Sequence, residues 1–265
     1  PSELMKVTLI LGLARYFPGA SVEDTGRITF LIPPVLLTVV PVALVLMQPN
    51  LGTSLILLMI CGSILFLVGV RWWKFGIVIG SALAAIPIVW QFLHDYQKNR
   101  VLTFLNPESD PLGTGYHIMQ SKIALGSGAL FGKGFLQGTQ SHLNFLPEKQ
   151  TDFIFTMLAE EFGMVGAVGF LALYCLLLLY GFIIALRSRH QFGRLVALGL
   201  TVNLFLYLFI NCAMNMGLIP VVGIPLPLLS YGGTATLTVM IGFGLLLSVH
   251  IHRDVRMSRR GIGEF

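Results

Sequence analysis

Acidic, basic and amide side chains stand at the ends of long apolar runs in this sequence, and they are the residue types that chemistry needs. Asp152 follows Thr151 where one apolar run begins, and Ser230 comes just before another. The other polar residues at comparable positions are Glu3, Lys6, Arg100, Gln120, Lys122 and Glu148. A carboxylate in such a set can remove a proton as a general base, and the cations can hold an anionic group.

Each of these residues also has a purely structural interpretation. Asp152 can cap a helix N-terminus and interact with the helix dipole, which stabilises by about 0.3–1 kcal/mol. Glu3 and Lys6 have i, i+3 spacing and can form an ion pair on one helix face. Arg100 can contact lipid headgroups. From the residues alone, the structural and the chemical interpretations both stay open.

The composition indicates that lipid is the main solvent of this chain. Of the 265 residues, 55% are hydrophobic and 11% are charged, whereas about a quarter of a soluble domain is charged. The net charge of +5 comes from basic residues in short loops between apolar runs, so we expect no nucleic-acid partner. Cys61, Cys175 and Cys212 lie inside apolar runs without metal-ligand spacing. The glycines of residues 126–134 are typical of turns rather than of a nucleotide-binding loop.

Seven apolar segments alternate with short connections and one long polar stretch, which predicts an all-α transmembrane bundle. A hydrocarbon core of about 30 Å needs roughly 20 apolar residues in a helix. The segments are approximately 4–17, 28–47, 52–70, 75–93, 152–186, 194–215 and 233–252. The polar stretch, approximately 94–151, is predicted to be an extracytoplasmic loop. We expect a single membrane domain over residues 1–265.

The distribution of lysine and arginine predicts the orientation of this bundle, because short basic loops stay in the cytoplasm. With the N-terminus outside, one side of the membrane carries 11 of the 17 basic residues. They are Arg15, Arg27, Arg71, Lys74, Arg187, Arg189, Arg194, Arg253, Arg256, Arg259 and Arg260. That side is therefore predicted to be cytoplasmic, together with the C-terminus. The long loop and Asp152 then face outward from the membrane.

The fifth segment is too long for one simple crossing. As a single helix from Asp152 to Ser188 it would extend about 55 Å. The part from Phe162 onward is sufficient to cross. The preceding turns, with Glu160 and Glu161, must therefore rise above the bilayer or line a polar cavity.

Three stretches resemble the SEDS family (shape, elongation, division and sporulation). They are PSELMK (1–6), FLPEKQTDFIF (145–155) continuing through LAEEFG (158–163), and NMGLIPVVGIPLP (215–227) with SYGG (230–233). The match runs in order over nearly the whole chain, and HLNFLPEKQ (142–150) is more similar to the RodA branch than to the FtsW branch. One departure is Asn50, since the family commonly has Gln-Pro-Asp where this chain has QPN (48–50).

The resemblance implies ten transmembrane helices with both ends in the cytoplasm. This chain would then lack the first three helices, which agrees with an outward N-terminus, and Pro1 is no natural start. We therefore expect an N-terminally truncated fragment.

The resemblance also implies an activity, the polymerisation of lipid II into glycan strands during cell-wall elongation, cell-shape maintenance and cell division. Asp152 corresponds to the family's essential aspartate, and we expect it to be the general base of an inverting transfer. The diphosphate leaving group needs positive charge from Lys6, Arg100 or Lys122, or from a divalent cation such as Mg²⁺ or Mn²⁺. The predicted substrate-binding residues are Glu3, Lys6, Arg100, Gln120, Lys122, Glu148, Thr151 and Ser230.

Two rival functions use the same features. A lipid II flippase would also have charged groups in a cavity and helices broken at proline-rich segments such as 220–227. The polar residues, however, cluster on one side of the membrane rather than at mid-depth. A non-catalytic scaffold for a class B penicillin-binding transpeptidase is the other alternative, and the resemblance implies such a partner in addition to membrane lipid. The intact motif around Asp152 favours catalysis.

Overall fold

The regular structure is helical throughout the residues that the structure describes. The computed structural model describes residues 2–18, 25–48, 50–92, 95–106, 113–139 and 150–254. Its helices are α1 (Ser2–Tyr16), α2 (Ile28–Met47), α3 (Leu51–Leu67), α4 (Trp72–Phe92), α5 (Asp95–Leu105), α6 (Thr114–Ser127), α7 (Ile154–Arg187), α8 (Gln191–Asn215) and α9 (Gly233–Ile251). The predicted all-α fold is confirmed, since each of the seven apolar segments overlaps with one of these helices.

Five of the described helices, α2, α4, α7, α8 and α9, are long and apolar enough to cross a membrane. At 1.5 Å per residue, the 20 residues of α2 match a hydrocarbon core of about 30 Å. The apolar helix α3 has 17 residues and α1 has 15. Their transmembrane position therefore stays a prediction.

The chain divides into two compact units. The first contains Pro1–Ser81, Leu177–Leu206 and Thr234–Phe265. Within it α1 packs against α2 and α3. Side chains without exposed surface in this core include Ile10, Leu13, Ile56, Ile60 and Ile64. The single membrane domain that we expected stays a prediction.

Asn50 caps α3 in the first unit. Its Oδ1 accepts a hydrogen bond from the backbone amide of Thr53 at 3.1 Å. An aspartate at this position could accept the same bond. The departure from the family's Gln-Pro-Asp therefore removes a charge but keeps a hydrogen-bond acceptor at the start of α3.

The second unit contains Ala82–Leu176 and Tyr207–Gly233. It includes α5 and α6, which lie in the stretch that was predicted as a loop. With 11 and 14 residues, both helices are too short to cross a membrane. A search for long apolar runs therefore does not detect them. The two helices pack against each other.

The helix α7 is broken at Gly163, so the prediction of one continuous helix was wrong. Gly163 has φ 68° and ψ −166°, a backbone conformation that glycine adopts without a steric penalty. The carbonyls of Glu160 and Glu161 consequently lose their helical partners, the amides of Met164 and Val165. Residues 154–162 form a short first segment of α7, and this segment begins just after Asp152.

A loop of residues 128–134, which we call the glycine loop, supplies new partners to all four backbone groups at the break. Two of its amides donate to the freed carbonyls, and two of its carbonyls accept from the freed amides. The four hydrogen bonds are Lys133 N to Glu160 O (3.1 Å), Gly134 N to Glu161 O (3.0 Å), Met164 N to Ala129 O (2.9 Å) and Val165 N to Leu130 O (3.1 Å). The loop thus gives these four backbone groups partners within the protein, as backbone groups in a membrane require.

Side chains also fasten the glycine loop to α7. Lys133 Nζ lies 2.7 Å from Glu160 Oε1, and Thr139 Oγ1 donates to the same oxygen at 3.1 Å. The Glu160 side chain has no exposed surface, so its charge requires a partner inside the protein. A Cβ at Gly132 would overlap with the Glu161 carbonyl. The loop therefore needs glycine at this point of close approach.

Candidate functional site

Asp152 lies in the second unit, two residues before α7, and is partly buried. Phe153, and not Asp152, directly precedes the helix, so Asp152 does not occupy the N-cap position. Gly223, with φ 77°, lies beside the carboxylate, because a Cβ there would be 3.4 Å from Asp152 Oδ2. A side chain at this position would therefore be in van der Waals contact with the carboxylate.

Two buried carboxamides that the sequence analysis did not single out position the backbone at Asp152. Asn211 Nδ2 donates to the carbonyl of Asp152 at 3.0 Å and to that of Ile224 at 2.8 Å. Asn211 Oδ1 accepts from Asn215 Nδ2 at 3.0 Å. Carboxamides four residues apart in an otherwise apolar helix need partners inside the protein. This spacing was the signal in the sequence that could have identified them.

Ser230 joins the segment before α9 to the residues at Asp152. Its hydroxyl donates to the backbone carbonyl of Thr151 and accepts from the amide of Leu226 at 2.7 Å. The structure therefore brings together Thr151, Asp152 and Ser230, which the sequence predicted as site residues. The Ser230 hydroxyl serves the backbone here, and substrate binding by Thr151 and Ser230 stays a prediction.

Ser121 connects α6 to α7 and α8. Its hydroxyl donates to the carbonyl of Asn215 at 2.8 Å and lies 2.8 Å from Thr156 Oγ1. Since Ser121 has one hydrogen, Thr156 is the donor in the second bond. All three residues are buried. The same polar network therefore extends from Asn211 to α6 and to the segment that follows Asp152.

Three predicted substrate-binding residues lie on α5 and α6 in the same unit as Asp152. Gln120 Oε1 is buried, and no group in the described part of the chain donates to it. The Lys122 side chain lies against Gly217, where a Cβ would overlap with Lys122 Cε. Arg100 is half-buried on α5.

Two other predicted site residues, Glu3 and Lys6, belong to the first unit and not to the unit that contains Asp152. Glu3 and Lys6 form an ion pair at 2.6 Å in the first unit, with Lys6 almost fully buried. This is the structural interpretation that the i, i+3 spacing allowed. Glu148 lies outside the described residues. Among those described, no three His, Cys, Asp or Glu side chains are close enough together to hold a metal ion, and the divalent cation stays a prediction.

The fold and the site define a multi-pass helical membrane protein in which a network of carboxamides and hydroxyls holds an aspartate at the start of a broken helix. The family model FTSW_RODA_SPOVE, described as "Cell cycle protein", matches residues 1–255. The chain belongs to this family. Its predicted resemblance to the SEDS family is thereby confirmed.

Named relatives place the chain nearer to RodA than to FtsW. It is 50% identical over 260 residues to peptidoglycan glycosyltransferase MrdB of Escherichia coli K12, covering 96% of this chain and 69% of the relative. It is 47% identical over 172 residues to RodA of Treponema pallidum, covering 64% of this chain and 39% of the relative. Its identity to a probable FtsW of Halothiobacillus neapolitanus is 34% over 271 residues, covering 98% of this chain and 64% of the relative.

Solved structures agree with this assignment. A chain from a peptidoglycan synthase complex, described as coordinating polymerization and crosslinking, superimposes with a TM-score of 0.80 at 34% identity, covering 97% of this chain and 71% of the other. The rod shape determining protein RodA of Thermus thermophilus gives a TM-score of 0.65 at 30% identity, with coverages of 97% and 67%.

Proposed function

We propose that this protein is a peptidoglycan glycosyltransferase that polymerises lipid II into glycan strands during cell-wall elongation and cell-shape maintenance. The relatives named MrdB and RodA are peptidoglycan glycosyltransferases, at 50% and 47% identity. The single structural observation that carries the proposal is the position of Asp152. Its backbone is held by the buried Asn211, and its carboxylate stands beside a glycine.

The reaction is a sugar transfer with inversion at the anomeric carbon. The 4-hydroxyl of an acceptor GlcNAc attacks C1 of a MurNAc that bears undecaprenyl diphosphate. The new C–O bond forms as the bond to the diphosphate breaks, and Asp152 takes the hydroxyl proton. A glycosidase needs a second carboxylic acid to protonate a poor leaving group. A diphosphate leaves as a stable anion, so one carboxylate is sufficient here.

The developing negative charge on the diphosphate requires a cation in the site. Arg100 and Lys122 are the candidates, because they share a unit with Asp152. Lys6 is a weaker candidate, since its charge is already balanced by Glu3 at 2.6 Å. Gln120, with its buried acceptor, is a candidate for orienting the sugar or its acetamido group.

The break in α7 supports an enzyme over a flippase. In many transporters, the exposed backbone ends of broken helices bind the substrate or the coupling ion. At Gly163 those backbone groups are already occupied by four hydrogen bonds from the glycine loop. The break therefore serves as a structural joint for the segment after Asp152.

We further propose that the protein lies in the bacterial inner membrane with Asp152 on the outer side and the C-terminus in the cytoplasm. The clustering of basic residues on the opposite side supports this orientation. A class B penicillin-binding transpeptidase is the proposed partner. The similarity to a chain from a peptidoglycan synthase complex supports it.

The function is tested with the purified full-length protein in vesicles that contain lipid II. Glycan product and transbilayer movement of a fluorescent lipid II are measured in parallel. We expect polymer to form while lipid movement stays at the rate of protein-free vesicles. Rapid movement without polymer would identify a flippase instead.

A further inference from the structure

A groove with a volume of about 370 Å³ runs along the first segment of α7, and Asp152 is not itself one of its lining residues. Its lining includes Gln150 and Ile154, which are each two residues from Asp152. Glu161 and Phe162 line it further along the segment, with Phe135 from beyond the glycine loop. The volume lies within the range of about 300–1,000 Å³ that small-ligand sites occupy.

The groove combines an apolar floor with hydrogen-bonding groups. Ile154, Leu158 and Glu161 recur at helical spacing, so they lie on one face of the segment. Phe135 and Phe162 have ring centroids 6.0 Å apart. The Glu161 carboxylate is only partly buried, and the ion pairs between described side chains do not include it.

The position of Gln150 is fixed with respect to the segment before α9. The backbone amide of Tyr231 donates to the Gln150 carbonyl at 2.8 Å. The Gln150 side chain is exposed and can reach a ligand in the groove. The groove therefore has a carboxamide near Asp152 and a carboxylate with two aromatic rings further away.

This combination selects among the chemical parts of the proposed substrates. A diphosphate is disfavoured because Glu161 repels it. An isoprenoid chain is disfavoured because it would remove water from Glu161 without offering a hydrogen bond. A neutral sugar ring presents a C–H face to the aromatic rings and donates its hydroxyls to the carboxylate and the carboxamide.

We propose that this groove is the subsite for the acceptor sugar, with Glu161, Gln150 and Phe135 as its binding residues. It orients the GlcNAc ring so that the 4-hydroxyl points to Asp152. The assignment rests on the proposed function, because the sugar is the acceptor of that reaction. The diphosphate of the donor then binds outside this groove, away from the negative charge of Glu161.

The test is a binding measurement that needs no turnover. The probe is the soluble disaccharide GlcNAc-β-1,4-MurNAc, titrated into full-length protein that carries Asp152→Asn, with saturation-transfer NMR as the readout. Phe135→Ala and Glu161→Ala should each raise the dissociation constant about tenfold or more. Phe131→Ala is the matched control. Phe131 is also an exposed phenylalanine in the same part of the chain, but it does not line the groove.

Unchanged binding in Phe135→Ala and Glu161→Ala overturns the subsite, as does an equal loss in Phe131→Ala. If Phe135→Ala and Glu161→Ala lose undecaprenyl phosphate binding but keep disaccharide binding, the groove binds lipid, and the sugar subsite is also overturned. The binding test can fail independently of the test of the proposed function. Groove-dependent disaccharide binding by a protein that makes no polymer would contradict only the polymerase proposal. Polymer formation with normal binding in the groove variants would contradict only the subsite.

Discussion

At the scale of single residues, the position of Asp152 depends on carboxamides that carry no charge. The sequence identified Asp152 from its place at the start of an apolar run and from a family motif. It did not identify Asn211, because the structural role of this residue depends on tertiary hydrogen bonds to Asp152 and Ile224. Those carbonyls are separated from Asn211 by 59 and 13 positions along the chain. Spacing alone cannot show that they meet.

Asn211→Ala should lower kcat for lipid II polymerisation more than it raises KM. The substitution removes the donor from the buried carbonyl of Ile224, at about 1–3 kcal/mol, and from the partly buried carbonyl of Asp152, whose backbone it releases. Steady-state kinetics of the reconstituted protein measure the split. Asn203→Ala is the control on the same helix, because nothing in the described chain hydrogen-bonds to the buried Asn203 Oδ1. Equal kinetic effects of the two substitutions would contradict the positioning role.

At the scale of elements, the structural joint in α7 was invisible to hydrophobic periodicity. The apolar pattern continues through Met164 and Val165, so a single helix was the natural prediction. The glycines of 126–134 were predicted to form turns. Gly126 instead lies in α6, whereas Gly128 begins the turn at residues 128–131. The partner of the glycine loop was not predicted, because the pairing of a loop with a broken helix depends on contacts distant in sequence.

Gly132→Ala should destabilise the protein and reduce its activity. Gly132 has φ 78°, which costs an alanine about 1–2 kcal/mol, and the added Cβ would overlap with backbone atoms of α7. Thermal unfolding in detergent measures the loss. Gly169→Ala is the control within α7, since no atom lies within 4 Å of its added Cβ. It should be neutral or stabilise slightly. A Gly132→Ala protein as stable as Gly169→Ala would show that the joint does not require glycine.

At the scale of the whole molecule, composition and apolar runs were sufficient to predict an all-α membrane protein. Backbone polar groups in lipid must form hydrogen bonds within the protein, so a long apolar segment predicts a helix. The shorter helices α5 and α6 were missed because they lie in a polar stretch. A search for apolar runs long enough to cross a membrane does not detect helices there. The same limit applied to the groove beside α7, whose lining comes from separate parts of the chain.

The proposed orientation predicts which surface positions face outward. In a variant whose native cysteines, Cys61, Cys175 and Cys212, are replaced, Phe131→Cys should react with a membrane-impermeant maleimide on spheroplasts. Trp72→Cys should react only after the membrane is permeabilised. Both positions are highly exposed, at 81% and 80%, so access from the membrane side decides the result. Labelling of Trp72→Cys in intact spheroplasts would contradict the proposed orientation.

The central claim is that the Asp152 carboxylate accepts the proton of the attacking sugar hydroxyl. Asp152→Asn keeps the size of the side chain but removes its basicity, so its effect on lipid II polymerisation by the full-length protein is the most direct test. We expect turnover to fall by about 10²–10⁴-fold while lipid II binding and thermal stability are retained. The matched variant Asp254→Asn, at a side chain 65% exposed, should polymerise like the unmodified protein. Turnover by Asp152→Asn equal to that of Asp254→Asn would contradict the claim.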